Sequence, residues 1–156
     1  MHSPQDRILV VDDHADTREL LVLLLTAGHY IVKTASTIDE ATKLAEAEKF
    51  SLLIFDAWLP DGDGVELCRN IRQFDQTTPI VFCSGLAYEK DKQHALDAGA
   101  QVYLVKPIDP FKLVKSVDDL IDALAQPPAT LAQPPAKGQS VDGDGKPTPP
   151  TAARPG

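Results

Sequence analysis

The stretch "SLLIFDAWLPDGDG", residues 51–64, sets an apolar strand directly against an acid. Leu52, Leu53, Ile54 and Phe55 are apolar without a break, which is the pattern of a strand buried on both faces. The run then ends on Asp56. A carboxylate there is costly to desolvate unless a cation or hydrogen-bond donors meet it. Strands buried on both faces belong to parallel sheets, whose crossovers lay helices over each side. What meets Asp56 therefore depends on which other strands end at the same edge.

The flanking sequence alternates as a parallel sheet requires. Upstream, "RILVVDD" (7–13) reads as a buried strand and "ADTRELLVLLLTAG" (15–28) as a helix closed by Gly28. "YIVKTA" (30–35) is a second strand, and Thr37 with Glu40 forms a capping-box pattern that opens a helix through Lys49. Downstream, the pattern predicts a helix over Val65–Gln73 and a fourth strand, "PIVFCS" (79–84). A weaker helix from about Ala87 to Ala98 follows, ended by Gly99, and then the fifth strand "QVYLV" (101–105). Asp109 as N-cap and Pro110 at the first helical position open a last helix that ends near Ala125. Five strands alternating with five helices, joined by right-handed crossovers, predict a three-layer, doubly wound α/β domain. Ligands of such sheets sit outside the carboxyl ends of the strands.

Composition bounds the function. The chain has 156 residues, 43% of them hydrophobic, enough for one domain with a substantial core. A formal charge of −8 argues against a sequence-independent grip on nucleic acid or an anionic membrane surface. The longest apolar run, Leu20 to Leu25, is too short to span a bilayer, and "MHSPQDRILVVDD" lacks the layout of a secretory signal. Cys68 and Cys83 have no metal-ligand spacing and read as reduced thiols. The expectation is a soluble cytoplasmic protein. After Ala125 the composition changes: residues 126–156 hold eight of the thirteen prolines and four of the nine glycines, and "AQPPA" occurs at 125–129 and again at 132–136. That segment is predicted to be a disordered tail or linker beside a folded domain of residues 1–125.

In a parallel sheet the strand ends converge. The first strand ends in Asp12 and Asp13, the third in Asp56, the fourth in Ser84, and the fifth is followed by Lys106 and Pro107. Three carboxylates at one edge repel one another and call for a cation. An all-oxygen set points to Mg²⁺ rather than zinc. A hydroxyl and an ammonium beside that metal make a site for a phosphoryl dianion. Asp56 would then be the nucleophile, forming an acyl phosphate.

The motifs "VVDDH" (10–14), "FDAWLPDGDG" (55–64), "FCSG" (82–85) and "VYLVKP" (102–107) stand in this order at predicted strand ends. Together they resemble the receiver domain of response regulators in two-component signalling, over residues 6 to about 125. The resemblance implies a flavodoxin-like fold, a five-stranded parallel sheet in the order 2-1-3-4-5 with five helices. It implies that Asp56 accepts a phosphoryl group from a phosphohistidine on a histidine kinase or histidine phosphotransfer protein. Asp13 would bind Mg²⁺ directly, Asp12 largely through water, and the backbone carbonyl of Trp58 would add a ligand. Lys106 and Ser84 would contact the phosphoryl oxygens, and Tyr103 would be the aromatic switch that turns inward with Ser84. Gly64 matches the loop glycine, and the Lys106–Pro107 bond is expected to be cis. The one activity implied is the domain's own phosphorylation and dephosphorylation, with output through a downstream protein partner. "AQVY" (100–103) lacks the acidic pair that DNA-binding regulators usually carry before the switch tyrosine.

Plainer readings stand beside these. Asp13 could cap the first helix, Asp61 and Asp63 suit a turn and a helix start, and Trp58 could simply pack on its loop. His14, His29 and His94 are scattered and carry no assigned chemistry. Two other functions fit the motifs: a degenerate receiver acting as a phosphorylation-independent scaffold, and an aspartate-nucleophile phosphatase. The phosphatase needs an acid two residues after the nucleophile, where Trp58 stands. In receivers that position, and the one two residues after the switch hydroxyl, flank the path of attacking water. Here they are Trp58 and Leu86, which predicts a long-lived phosphorylated form.

Overall fold

The computed structural model describes residues 6–85 and 88–125, so the expected tail (126–156) and Leu86 lie outside the described residues. From the start of the chain come β1 (Arg7–Val11), α1 (Ala15–Ala27), β2 (Ile31–Ala35), α2 (Ile38–Ala47) and β3 (Leu52–Asp56). A small hairpin follows, β4 (Trp58–Leu59) with β5 (Gly62–Asp63), and then α3 (Gly64–Arg72). β6 (Ile80–Ser84), α4 (Glu89–Asp97), β7 (Val102–Val105) and α5 (Pro110–Ala125) complete the described chain. The main sheet is parallel throughout, in the order β2-β1-β3-β6-β7. This is the doubly wound, flavodoxin-like arrangement, with the order 2-1-3-4-5 when only the main strands are numbered.

Alternation along the central strands feeds two cores. Leu9, Val11, Leu53, Phe55, Ile80 and Phe82 face one side, packed with residues of α2, α3 and α4 such as Ala41, Leu67, Ile71 and Ala95. Ile8, Val10, Leu52, Ile54 and Val81 face the other, against Leu21 and Leu25 of α1 and Leu113, Val117 and Ile121 of α5. Every residue of β3 and β6 is buried, whereas β2 at the sheet edge leaves Ile31 and Lys33 exposed. Both cysteines are buried and unpaired, and burial pushes Cys68 up to about 11 and Cys83 up to about 12. No helix among the described residues is long and apolar enough to cross a membrane.

The helix ends refine the expectations. Thr37 Oγ1 accepts from the Glu40 amide at 3.1 Å, as the capping box requires, but Glu40 Oε1 takes the Ser36 amide rather than that of Thr37. Asp109 Oδ1 accepts from the Phe111 amide at 2.9 Å at the start of α5. Gly28 closes α1 with φ −84°, and the left-handed conformation falls on the next residue, His29, at φ 71°. α3 begins at Gly64 instead of Val65 and β7 at Val102 instead of Gln101; α4 begins at Glu89, and Ala87, the expected start, lies outside the described residues. Just before β7, Gln101 is bonded twice to Ile80: its amide donates to the Ile80 carbonyl at 2.9 Å and its side-chain oxygen accepts the Ile80 amide at 2.7 Å.

Asp63 caps α3 through the Glu66 amide at 2.8 Å. Asp61 stands in the turn between β4 and β5, as expected, and its side chain also reaches the other helix. Its two oxygens accept the amides of Ile38 (2.8 Å) and Asp39 (3.1 Å) at the start of α2. These amide bonds, the one from Ile38 foremost, hold the Asp61 carboxyl below the usual carboxylate range. Asp61→Ala should cost about 1 kcal/mol at neutral pH, the usual value of a lost cap. Because the folded value is depressed, that contribution is complete above the ordinary carboxylate range and fades as pH falls through the folded value. Denaturant titrations at pH 7 and pH 3 check this; a gap that stays constant between the two would contradict it.

Candidate functional site

The register of the sheet builds the site. Val11 pairs with both Ala35 and Phe55, and Asp56 lies opposite Cys83, so β1, β3 and β6 end together. Asp12 follows β1 directly and its amide donates to the Ala35 carbonyl at 3.1 Å. Ser84 closes β6 opposite Val105, and the Lys106 amide donates to the Ser84 carbonyl at 2.7 Å. The next bond, Lys106–Pro107, is cis, as expected from the resemblance.

These backbone positions bring the predicted side chains together. Lys106 Nζ lies 3.1 Å from Asp12 Oδ2 and 3.5 Å from Asp56 Oδ1. Asp12 and Asp56 are buried, while Asp13 is at the surface of the cluster. One donor atom from each of Asp12, Asp13, His14 and Asp56 lies within 4.8 Å of the others. The Arg18 guanidinium donates to the main-chain carbonyl of Asp12 at 2.8 Å, a contact that sequence reasoning missed. Asp13 does not cap α1: the N-cap is His14, and its amide is taken by Asp12 Oδ1 at 2.9 Å.

Charge is the governing problem at this edge. Burial, and after it the negative charge of Asp12, raise the Asp56 carboxyl above its ordinary value; Lys106 counters this only in part. Burial alone would lower Lys106, but its hydrogen bond to Asp12 and the charge of Asp56 outweigh that and leave it raised. One ammonium thus faces two buried carboxylates, with Asp13 close beside them. Oxygen donors this close, two of them on buried side chains, fit a hard divalent cation such as Mg²⁺.

Ser84 is fully buried, and its side chain is hydrogen-bonded to that of Tyr103. Burial raises the Tyr103 phenol, and the Ser84 bond opposes the rise. The Tyr103 ring stacks on Phe82 with centroids 6.1 Å apart and planes 10° from parallel. Tyr103 is therefore in contact with the hydroxyl at the end of β6. Trp58 begins β4 and the residue is 60% exposed. With Tyr103, Asp91 and His94 it lines a cavity of about 190 Å³.

A buried carboxylate, an acid pair, a hydroxyl and a lysine at the carboxyl edge of a doubly wound sheet define a class of signalling domain. Residues 8–118 match the family model of the response regulator receiver domain, and the chain belongs to that family. It is 41% identical over 123 residues to an uncharacterized 14.6 kDa protein of Leptolyngbya boryana, covering 78% of this chain and 92% of that one. It is 37% identical to the alkaline phosphatase synthesis transcriptional regulatory protein PhoP of Bacillus subtilis, covering 88% of this chain but only 58% of PhoP. Among solved structures, a two-component response regulator from Clostridium difficile superposes with TM-score 0.76 at 28% identity, over 78% of this chain and all of that one. The receiver domain of the sensor histidine kinase PA1611 from Pseudomonas aeruginosa, solved with a magnesium ion in its active-site cleft, gives TM-score 0.70 at 26% identity. That match covers 76% of this chain and 98% of the other.

Proposed function

We propose that residues 1–125 act as a phosphoacceptor switch in the cytoplasm, with Asp56 taking a phosphoryl group from a phosphohistidine of a histidine kinase or phosphotransfer protein. The observation that carries this reading is the placement of buried Asp56 beside Asp12, with Lys106 Nζ at 3.5 Å and 3.1 Å from the two. An Asp56 oxygen attacks phosphorus, the N–P bond breaks, and the imidazole nitrogen leaves with the electron pair. Lys106 and Ser84 hold the transferred oxygens as charge shifts onto them. Asp12, Asp13, Asp56 and the main-chain carbonyl of Trp58 would hold Mg²⁺. The bound ion supplies the positive charge that lets a dianion approach three carboxylates.

Contact of Ser84 with a phosphoryl oxygen competes with its bond to Tyr103. Phosphorylation therefore reaches the surface as a change at Tyr103 and β7, where a downstream protein partner reads it. The composition of residues 126–156 supports a linker role. Nucleic-acid contact and membrane insertion form no part of this reading. The test is incubation with a small phosphodonor, with and without Mg²⁺, followed by intact mass. One added phosphoryl group of about 80 Da, acid-labile and metal-dependent, is expected; continuous release of phosphate from varied monoesters would point to the phosphatase instead.

Trp58 offers no carboxylate or amide to orient an attacking water. Trp58→Asn should speed loss of phosphate severalfold, since placement of a nucleophile governs its rate. Phosphate release followed after donor removal measures this, and equal decay of the two proteins would retire the idea.

A further inference from the structure

His14 has no role in the reading above, yet it stands inside the acidic cluster. Its Nδ1 lies 3.2 Å from Asp12 Oδ1 and 3.1 Å from Asp13 Oδ1. Two ligands bound at ~2.1 Å and at right angles on one octahedral ion are about 3.0 Å apart. These are hydrogen-bond and ion-pair spacings, and they also match those of neighbouring donors on a single ion. The main chain holds the residue there, because the His14 amide is bound by Asp12 Oδ1 at 2.9 Å. The ring is not engaged in the helix start: His14 is the N-cap of α1 but makes no side-chain capping bond. Its side chain is 68% exposed, so it sits at the mouth of the site and is reachable by an entering ion.

We propose that His14 Nδ1 is a ligand of the divalent-cation site and shifts its preference from Mg²⁺ toward first-row transition ions. The inference rests on the reading that this edge binds a divalent cation. Mg²⁺ takes oxygen donors and gives up its waters reluctantly, so an imidazole adds little to its binding. Ions later in the row accept imidazole well, and their affinity for a mixed nitrogen and oxygen set rises from Mn²⁺ through Co²⁺ to Cu²⁺. A site with three carboxylates and one imidazole therefore holds Co²⁺ more tightly, relative to Mg²⁺, than three carboxylates alone.

Two measurements on the full chain decide it. Pulsed electron paramagnetic resonance of the Mn²⁺-loaded protein should show coupling to a directly bound imidazole nitrogen, and His14→Ala should abolish that coupling. Isothermal titrations should show the Co²⁺-to-Mg²⁺ affinity ratio falling about tenfold in His14→Ala, because a nitrogen ligand contributes mainly to the transition ion. Wild-type protein that labels with Mg²⁺ but shows no nitrogen coupling overturns the His14 assignment alone. An unchanged affinity ratio does the same. Wild-type protein that binds none of the three ions overturns it together with the phosphoacceptor reading. The wild-type spectrum needs no variant, so a poorly folded His14→Ala leaves the proposal open to refutation.

Discussion

Asp56→Asn is expected to take up no phosphoryl group from a small donor with Mg²⁺, and yet to melt about 3 °C or more above wild type in metal-free buffer. The loss follows from the chemistry, because the amide that replaces the carboxylate is not a nucleophile at phosphorus. The gain follows from the environment. Burial and the charge of Asp12 raise the Asp56 carboxyl, so its ionised form is disfavoured in the fold relative to the unfolded chain. For a carboxyl with a raised folded value, stability falls as pH climbs from the ordinary carboxylate range through the folded value, and the full cost is present above it. Asn removes that cost at neutral pH. Below the ordinary carboxylate range wild type is protonated in both states, and the advantage of the variant disappears. Saturating Mg²⁺ binds the native wild type and stabilises it by mass action, which narrows or reverses the difference. Intact mass and melting curves with and without Mg²⁺ read both effects. Full labelling of the variant would move the phosphoacceptor to another residue. A lower melting point in metal-free buffer would show that the Lys106 contact with Asp56 outweighs burial and repulsion.

What was legible in the sequence is what neighbouring residues decide. The unbroken apolar run Leu52 to Phe55 marks a strand covered on both faces, and all of β3 is buried. Strand ends could be located because each apolar run stops on a polar residue: Asp12, Asp56, Ser84, Lys106. A parallel sheet then brings those ends to one edge without further information. Local caps, such as Thr37 for α2 and Asp109 for α5, were readable for the same reason. Contacts that cross long stretches of chain were not. Asp61 caps a helix that begins more than twenty residues earlier, and nothing near it in sequence points there. The β4–β5 hairpin has two-residue strands, too short for any alternation to show. His14 is a local exception: its partners Asp12 and Asp13 adjoin it in sequence, but only the turn after β1 brings their carboxylates onto the ring. The exposed side of β2 follows from its place at the sheet edge, which its own residues do not announce.

Gly64→Ala is the smallest change expected to damage both the fold and the site. A methyl group at residue 64 would lie 2.4 Å from the main-chain oxygen of Asp56 and 2.9 Å from Cε2 of Phe82. Neither neighbour can yield easily. The Asp56 oxygen belongs to the end of a strand buried along its whole length. Phe82 is fully buried, set edge-on to Phe55 with centroids 5.9 Å apart and stacked with Tyr103. The remaining movement is a shift of the start of α3 away from the sheet, which strains the 2.8 Å bond from the Gly64 amide to the Ala57 carbonyl. Overpacking of this kind costs about 1–3 kcal/mol, which lowers Tm by roughly 4–10 °C in a domain of this size. The damage extends to chemistry because the crowded oxygen belongs to Asp56, the proposed phosphoacceptor. Displacing a reacting group by ~1 Å can cost on the order of 100-fold in rate. Labelling of Gly64→Ala should therefore slow far more than its loss of stability explains, even at a temperature where it is fully folded. Gly85→Ala is the control, since a methyl group there meets nothing within 4 Å. If Gly64→Ala melts and labels like Gly85→Ala, α3 has slack at its start, and the close approach to Asp56 is not what holds the carboxylate in place.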